Sequence, residues 1–243
     1  MSNSPEEITI CSVSEYVSCL KDSSGNEIRL FRGQNVDKPL HSKLARLAID
    51  RGISISKMKE IEQGMLSQFR EKCVPMLWEK EEPTDLHLLS IAQHYGMPTR
   101  LLDWTADSLV ALWFAVSSDP PNEEDHGVVW ILRKPNVKTF ESSDNIFQQR
   151  KTYFYEPPIL DVRILAQSAW LSIHRYAPRG KGKKRFLPLE EHVRYEDKWK
   201  RAIIPLEHFD SFRKELRLNR IHQETVFPDL SGLCSDIEAE FFD

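Results

Sequence analysis

Gln93-His94-Tyr95-Gly96-Met97-Pro98-Thr99-Arg100-Leu101-Leu102-Asp103-Trp104-Thr105 is the stretch on which the fold turns. Upstream of it, Pro83 and Thr84-Asp85 announce a helix over Leu86 to Tyr95, and Gly96 supplies its stop. From Pro98 to Thr105 the chain reads as extended. In a strand, Thr99, Leu101, Asp103 and Thr105 share one face, and Arg100, Leu102 and Trp104 the other. Asp107 or Ser108 then caps a helix, Leu109 to Val116, that is apolar nearly all round and therefore buried. Helix, polar strand and buried helix thus follow one another within about thirty residues, with charged, amide and aromatic side chains at the turn where a core would take hydrocarbon.

A second run, Leu30-Phe31-Arg32-Gly33-Gln34, lies some sixty residues earlier. If Glu27 to Arg32 is a strand, Ile28, Leu30 and Arg32 share a face, and Gly33 ends it. Ser42 to Asp50 predicts a helix before Gly52, and Ser56 to Cys73 a longer one whose stripe is Met58, Ile61, Met65, Phe69 and Cys73. Gly127 to Leu132 is apolar on both faces, which suits a central strand. Ser142 to Pro158 reads as loop, Val162 to Ile173 as one or two strands, Ala202 to Pro205 as a short strand, and Glu207 to Leu216 as a helix. The order is mixed, without regular βαβ alternation. It predicts an α+β single domain with a mixed, split sheet flanked by helices.

The 243 residues suffice for a sizeable core, and 40% hydrophobic against 29% charged residues describes a globular chain. A net charge of −4 argues against a whole-surface grip on nucleic acid. Arg175 to Arg185, with six Lys or Arg in eleven residues, is the local exception. It predicts a mobile surface loop able to touch phosphates, with Tyr176 and Phe186 at its ends available to stack on bases. No apolar run reaches membrane-spanning length and the first residues lack a signal-peptide pattern, so the expectation is a cytoplasmic protein with no membrane association. Cys11, Cys19, Cys73 and Cys234 have no metal-ligand spacing, and no metal site is expected.

The Phe31-Arg32-Gly33 triplet resembles the motif for which the FRG domain is named. Gln93 to Gly96, Pro98 to Thr105, Leu109 to Ala115, Arg163 to Gln167, Ile173-His174 and Thr225 to Leu233 look like further blocks of that family. The resemblance covers residues 26–237, with 175–200 a basic loop insertion and 1–25 an N-terminal extension packed on the core. More remotely, the layout is similar to the ADP-ribosyltransferase fold: an early strand ending in Arg, a polar strand before a buried helix, and a catalytic Glu or Gln on a later strand. Asp103-Trp104-Thr105 stands where transferases of the arginine-strand class often carry Ser-Thr-Ser. The resemblance implies an enzyme that uses NAD as substrate to modify a protein or nucleic-acid acceptor, in the manner of toxins or antiviral-defence effectors. A non-catalytic nucleotide-, peptide- or nucleic-acid-binding module on the same fold is the alternative.

Each site residue has two readings. Arg32, with Gly33 and Gln34 beside it, anchors a pyrophosphate or ribose, or bridges a carboxylate such as Asp103. Gln93, His94 and Tyr95 form a pocket wall, or cap and pack their helix. Asp103, with Thr99, Trp104 and Thr105 around it, accepts from a ribose hydroxyl, or pairs with an arginine. Arg100 is the rival partner, and reaching it needs a bend. Gln167 and Glu224 compete for the catalytic glutamate role, and Glu224 alternatively anchors a loop. Gln167 and His174 have opposite parity, so both face one cleft only if a bulge intervenes near Ser168 or Ser172. His174 is a general base or a hydrogen-bonded structural residue.

Overall fold

The computed structural model describes residues 5–21, 28–73, 83–141, 144–159, 161–176, 186–195 and 197–242. The chain runs β1 (Glu6–Thr9), α1 (Val13–Cys19), β2 (Arg29–Gln34), α2 (Lys43–Asp50), α3 (Ile55–Cys73), α4 (Asp85–His94), β3 (Leu101–Thr105) and α5 (Ser108–Val116). It continues through β4 (His126–Arg133), β5 (Tyr153–Tyr155), α6 (Val162–Ala166), β6 (Ala169–Ile173), β7 (Trp199–Pro205), α7 (Phe209–Leu218), α8 (Gln223–Val226) and α9 (Leu230–Phe242). No described helix is long and apolar enough to cross a membrane.

The seven strands form one mixed sheet in the order β1-β7-β4-β2-β3-β6-β5. It is α+β as expected, but the expected split sheet is a single one. Only the β1–β7 pair is parallel. The two halves are stitched through one residue pair, Phe31 opposite Thr105. The N-terminal extension supplies an edge strand as well as packing on the core, because β1 pairs with β7.

Alternation along the strands builds both faces. Phe31, Val129, Ile131, Ala202 and Ile204 pack under α5 and α7. On the same side, Leu101, Leu171 and Ile173 meet α3 and α4 through Leu66, Leu86 and Leu89. The opposite face buries Leu30, Leu102, Trp104, Trp130 and Trp199 beneath Leu40, Leu189 and Tyr195.

Three local readings change. Gly33 does not end β2, which runs on to Gln34. A Cβ at Gly33 would lie 1.8 Å from the Ala111 carbonyl oxygen, so glycine is required there for α5 to lie against the strand. Residues Val162 to Ala166, read as strand, form α6, because Asp161 caps them by accepting from the Arg163 N–H at 2.8 Å. Within the Ser142 to Pro158 stretch, read as loop, Tyr153–Tyr155 forms β5, held by β6 along one edge.

Candidate functional site

The site grows from the end of α4. Gly96, at φ +83°, turns the chain, and its N–H and that of Met97 bond back to the Gln93 and Ala92 carbonyls at 2.8 Å each. This leaves Gln93 and His94 on the last helical turn, facing the incoming strand. The Thr99 hydroxyl, 1% exposed as a residue, donates to Gln93 Oε1 at 2.5 Å. That bond assigns the amide: Gln93 Nε2 points the other way and donates to Asp103 Oδ1 at 2.6 Å. The Asp103 carboxylate is thereby fixed, while its side chain remains 68% exposed.

Asp103 lies in a cleft of about 260 Å³ whose lining includes Gln93, His94, Arg163, Gln167 and Phe227. Gln167 is the C-cap of α6, and Ser168 follows it at φ +44°, so a turn before β6 aims Gln167 into the cleft. The Thr105 hydroxyl donates to the Gln167 carbonyl at 2.6 Å, and Gln167 Nε2 donates to the Val226 carbonyl at 3.2 Å. His94 Nε2 stands 3.4 Å from Asp161 Oδ2. Arg163 Nε meets Asp229 Oδ2 at 2.5 Å, and its guanidinium lies 5.3 Å from the Phe227 ring centre. Asp103 is the one carboxylate lining this cleft among the described residues.

Arg32 belongs to the opposite face of the sheet, beside Leu30 and across from Trp130. Its guanidinium crosses the thinly paired seam between β2 and β3. Nη1 donates to the Asp103 carbonyl at 2.7 Å and lies 4.0 Å from the Asp103 carboxylate. Of the two sequence readings of Arg32, this is the bridging contact with Asp103. Burial pulls the guanidinium below its usual pKa, and Asp103 opposes that pull. Arg32 Nε and Gln34 Oε1 are buried without a hydrogen-bond partner among the described residues.

Other expected site residues go elsewhere. Arg100 does not pair with Asp103. Its guanidinium meets Glu62 at 2.5 Å, with the two side chains 3% and 0% exposed. Trp104 donates to Ser172 Oγ at 3.0 Å, which in turn lies 3.0 Å from His174 Nε2. His174 is 4% exposed, and burial holds its imidazole well below the usual pKa and so neutral. Tyr95 is 80% exposed and outside the cleft lining. Glu224 is an exposed residue of α8, close to His222 and Asp236; Asp236 also receives Arg217 at 2.9 Å and His222 at 2.8 Å. Residues 177–185 of the basic loop lie outside the described residues. Tyr176 and Phe186 at its ends are buried against each other, with ring centres 5.6 Å apart, so they are core residues and not stacking platforms.

Gln93 lines the cleft together with His94, whereas Arg163 and Phe227 enter it without a ligand reading from the sequence. For Phe227 no signal existed, because over a hundred residues separate it from Asp103.

Among known proteins, the FRG domain family model matches residues 27–124. That match reaches from β2 to just past α5 and includes Arg32, Gln93 and Asp103. No curated protein and no solved structure matches the chain.

Proposed function

We propose that this FRG-domain protein is an ADP-ribosyltransferase-like enzyme that takes NAD as its substrate in the Asp103 cleft. One observation carries the reading. The three segments that the transferase layout needs, Arg32 on β2, Asp103 to Thr105 on β3, and Gln167 leading into β6, are far apart in sequence. They fall on three consecutive strands of the sheet and are joined there by the Arg32–Asp103 and Thr105–Gln167 hydrogen bonds.

The cleft suits the nicotinamide-ribose end of the dinucleotide. Its volume, about 260 Å³, lies at the small end of ligand pockets, and Phe227 offers an apolar wall. Transfer breaks the bond between nicotinamide nitrogen and ribose C1′, and the electron pair leaves with nicotinamide. The Asp103 carboxylate, held by Gln93, stabilises the positive charge that develops on the ribose. An acceptor nucleophile then bonds to C1′ and gives up its proton. Gln167 orients the ribose, and Arg32 steadies Asp103 from behind through its main chain.

The tied state of Gln167 favours a second reading, a non-catalytic nucleotide-binding module: it is an amide, and its Nε2 already serves Val226. Incubation with NAD labelled in the nicotinamide ring separates the two. The enzyme reading expects nicotinamide release that Asp103→Asn reduces at least tenfold. Saturable NAD binding without release, whatever the acceptor supplied, would establish the module instead.

A further inference from the structure

A second and larger cavity, about 450 Å³, adjoins the cleft. Ser90 lines both, and the chain passes from one to the other at Glu156, Pro157 and Pro158. The rings of Phe140, Tyr155 and Trp170 form part of its wall, and Glu141, Asp144 and Glu156 are its carboxylates. Lys138 is already matched: its Nζ lies 2.5 Å from Asp144 Oδ1 and 4.5 Å from the centre of the Phe140 ring. His87 has a partner of its own. The carboxylates of Glu141 and Glu156 make neither a hydrogen bond nor an ion pair among the described residues. Ring faces beside unspent carboxylates attract cations and repel phosphates. The way this wall already seats the Lys138 ammonium, between a ring and a carboxylate, is an internal instance of the same chemistry.

We infer that this cavity receives a cationic side chain of a protein acceptor, a guanidinium or an ammonium, and presents its nitrogen to the neighbouring cleft. The acceptor role rests on the reading of that cleft as the place of ADP-ribosyl transfer; the preference for cations does not. In the transfer, the side-chain nitrogen first gives a proton to solvent, the electron pair so freed bonds to ribose C1′, and nicotinamide departs with the electron pair of the broken bond.

The test uses the full chain and four probes: a capped tripeptide with central arginine, one with lysine, one with neutral citrulline, and a short uridine oligoribonucleotide. Binding is measured by calorimetric titration. At least one of the charged peptides is expected to bind at least tenfold more tightly than the citrulline peptide. The Glu141→Gln/Glu156→Gln double variant is expected to erase that difference while leaving the NAD-induced shift in thermal midpoint unchanged. Equal binding of the citrulline peptide, a preference that survives in the double variant, or displacement of the peptide by the oligoribonucleotide overturns the inference. A preference for cations in a protein that does not respond to NAD upholds the cavity assignment and removes the transferase reading alone.

Discussion

At the scale of single residues, the Asp103 carboxylate depends on two neighbours that never touch a ligand in this reading. Thr99 decides which end of the Gln93 amide faces Asp103, because its hydroxyl donates to Gln93 Oε1. Gln93→Leu should leave the fold intact, since the residue sits at the rim of the cleft, yet free the carboxylate to swing. Misplacement of a reacting group by an ångström costs on the order of a hundredfold in rate. Nicotinamide release is therefore expected to fall tenfold to a hundredfold, with a stability loss of about 1–3 kcal/mol because the buried Thr99 hydroxyl loses its acceptor; an unaltered rate in the folded variant would remove Gln93 from the site. The Arg100–Glu62 pair behaves in the opposite way, because it is buried and remote from the cleft. Breaking it with Glu62→Gln leaves a guanidinium without its counter-charge, at a cost of about 3–5 kcal/mol. The double replacement Glu62→Leu/Arg100→Met should lose much less, and urea unfolding of the three proteins gives the comparison.

At the scale of elements, two contacts set how β2, β3 and α5 fit together. The first is Gly33, where the helix backbone comes so close that any side chain collides with the Ala111 carbonyl. Gly33→Ala is expected to destabilise by about 3 kcal/mol, at the upper end for overpacking, since a backbone atom cannot turn aside. The second is the Thr105 hydroxyl. It accepts from the Asp107 N–H at 2.9 Å and donates to the Gln167 carbonyl at 2.6 Å, while Asp107 caps α5 by accepting from the Leu109 and Val110 N–H groups. Thr105→Val keeps the shape and deletes both bonds of a residue that is 4% exposed. A loss of about 2 kcal/mol follows from the unpaired groups left behind. If the turn carrying Gln167 is held by this hydroxyl, NAD binding weakens with it, which a thermal-shift titration measures.

At the scale of the whole molecule, two half-buried titratable groups shifted in opposite directions shape stability against pH. Burial raises the Glu190 carboxyl to about 7 from an ordinary 4.5, with the Glu191 and Asp37 charges adding to the rise. Between those values the folded chain holds a proton that the unfolded chain has lost, so this contribution is complete below pH 4.5 and disappears as pH rises through 7. Burial and Arg46 lower His41 to about 4 from 6.5, so its contribution is complete above pH 6.5 and disappears as pH falls through 4. Glu190→Gln keeps an acceptor for the Leu40 N–H, which the carboxylate now accepts at 3.1 Å. Its stability at pH 8 relative to pH 5 should exceed that of the parent by about 2 kcal/mol, after allowance for the partial exposure of the group. Paired urea titrations at the two pH values measure it.

The elements were largely legible in the sequence because their causes are local. Caps at Ser42, Thr84 and Asp107, the glycine stops at Gly52 and Gly96, and the apolar run of α5 act within a few residues, so the sequence by itself determined those helices and the parity of Asp103 with Thr105. The likeness of residues 27–124 to the FRG domain was legible for the same reason, since short motifs carry it. The errors fell where long-range contact overrides local pattern. Gly33 reads as a strand end until α5 is seen pressed against it, and Val162 to Ala166 is apolar enough for a strand until Asp161 caps it as a helix. The site lies at the far end of that scale. Strand order brings Gln167 beside Asp103 and directs Arg32 to the Asp103 main chain from the other face, while helix packing adds Phe227 from the end of α8 and gives Arg100 to Glu62 of α3. Side-chain partners across a sheet depend on which strands become neighbours, and that is decided by packing of the entire chain.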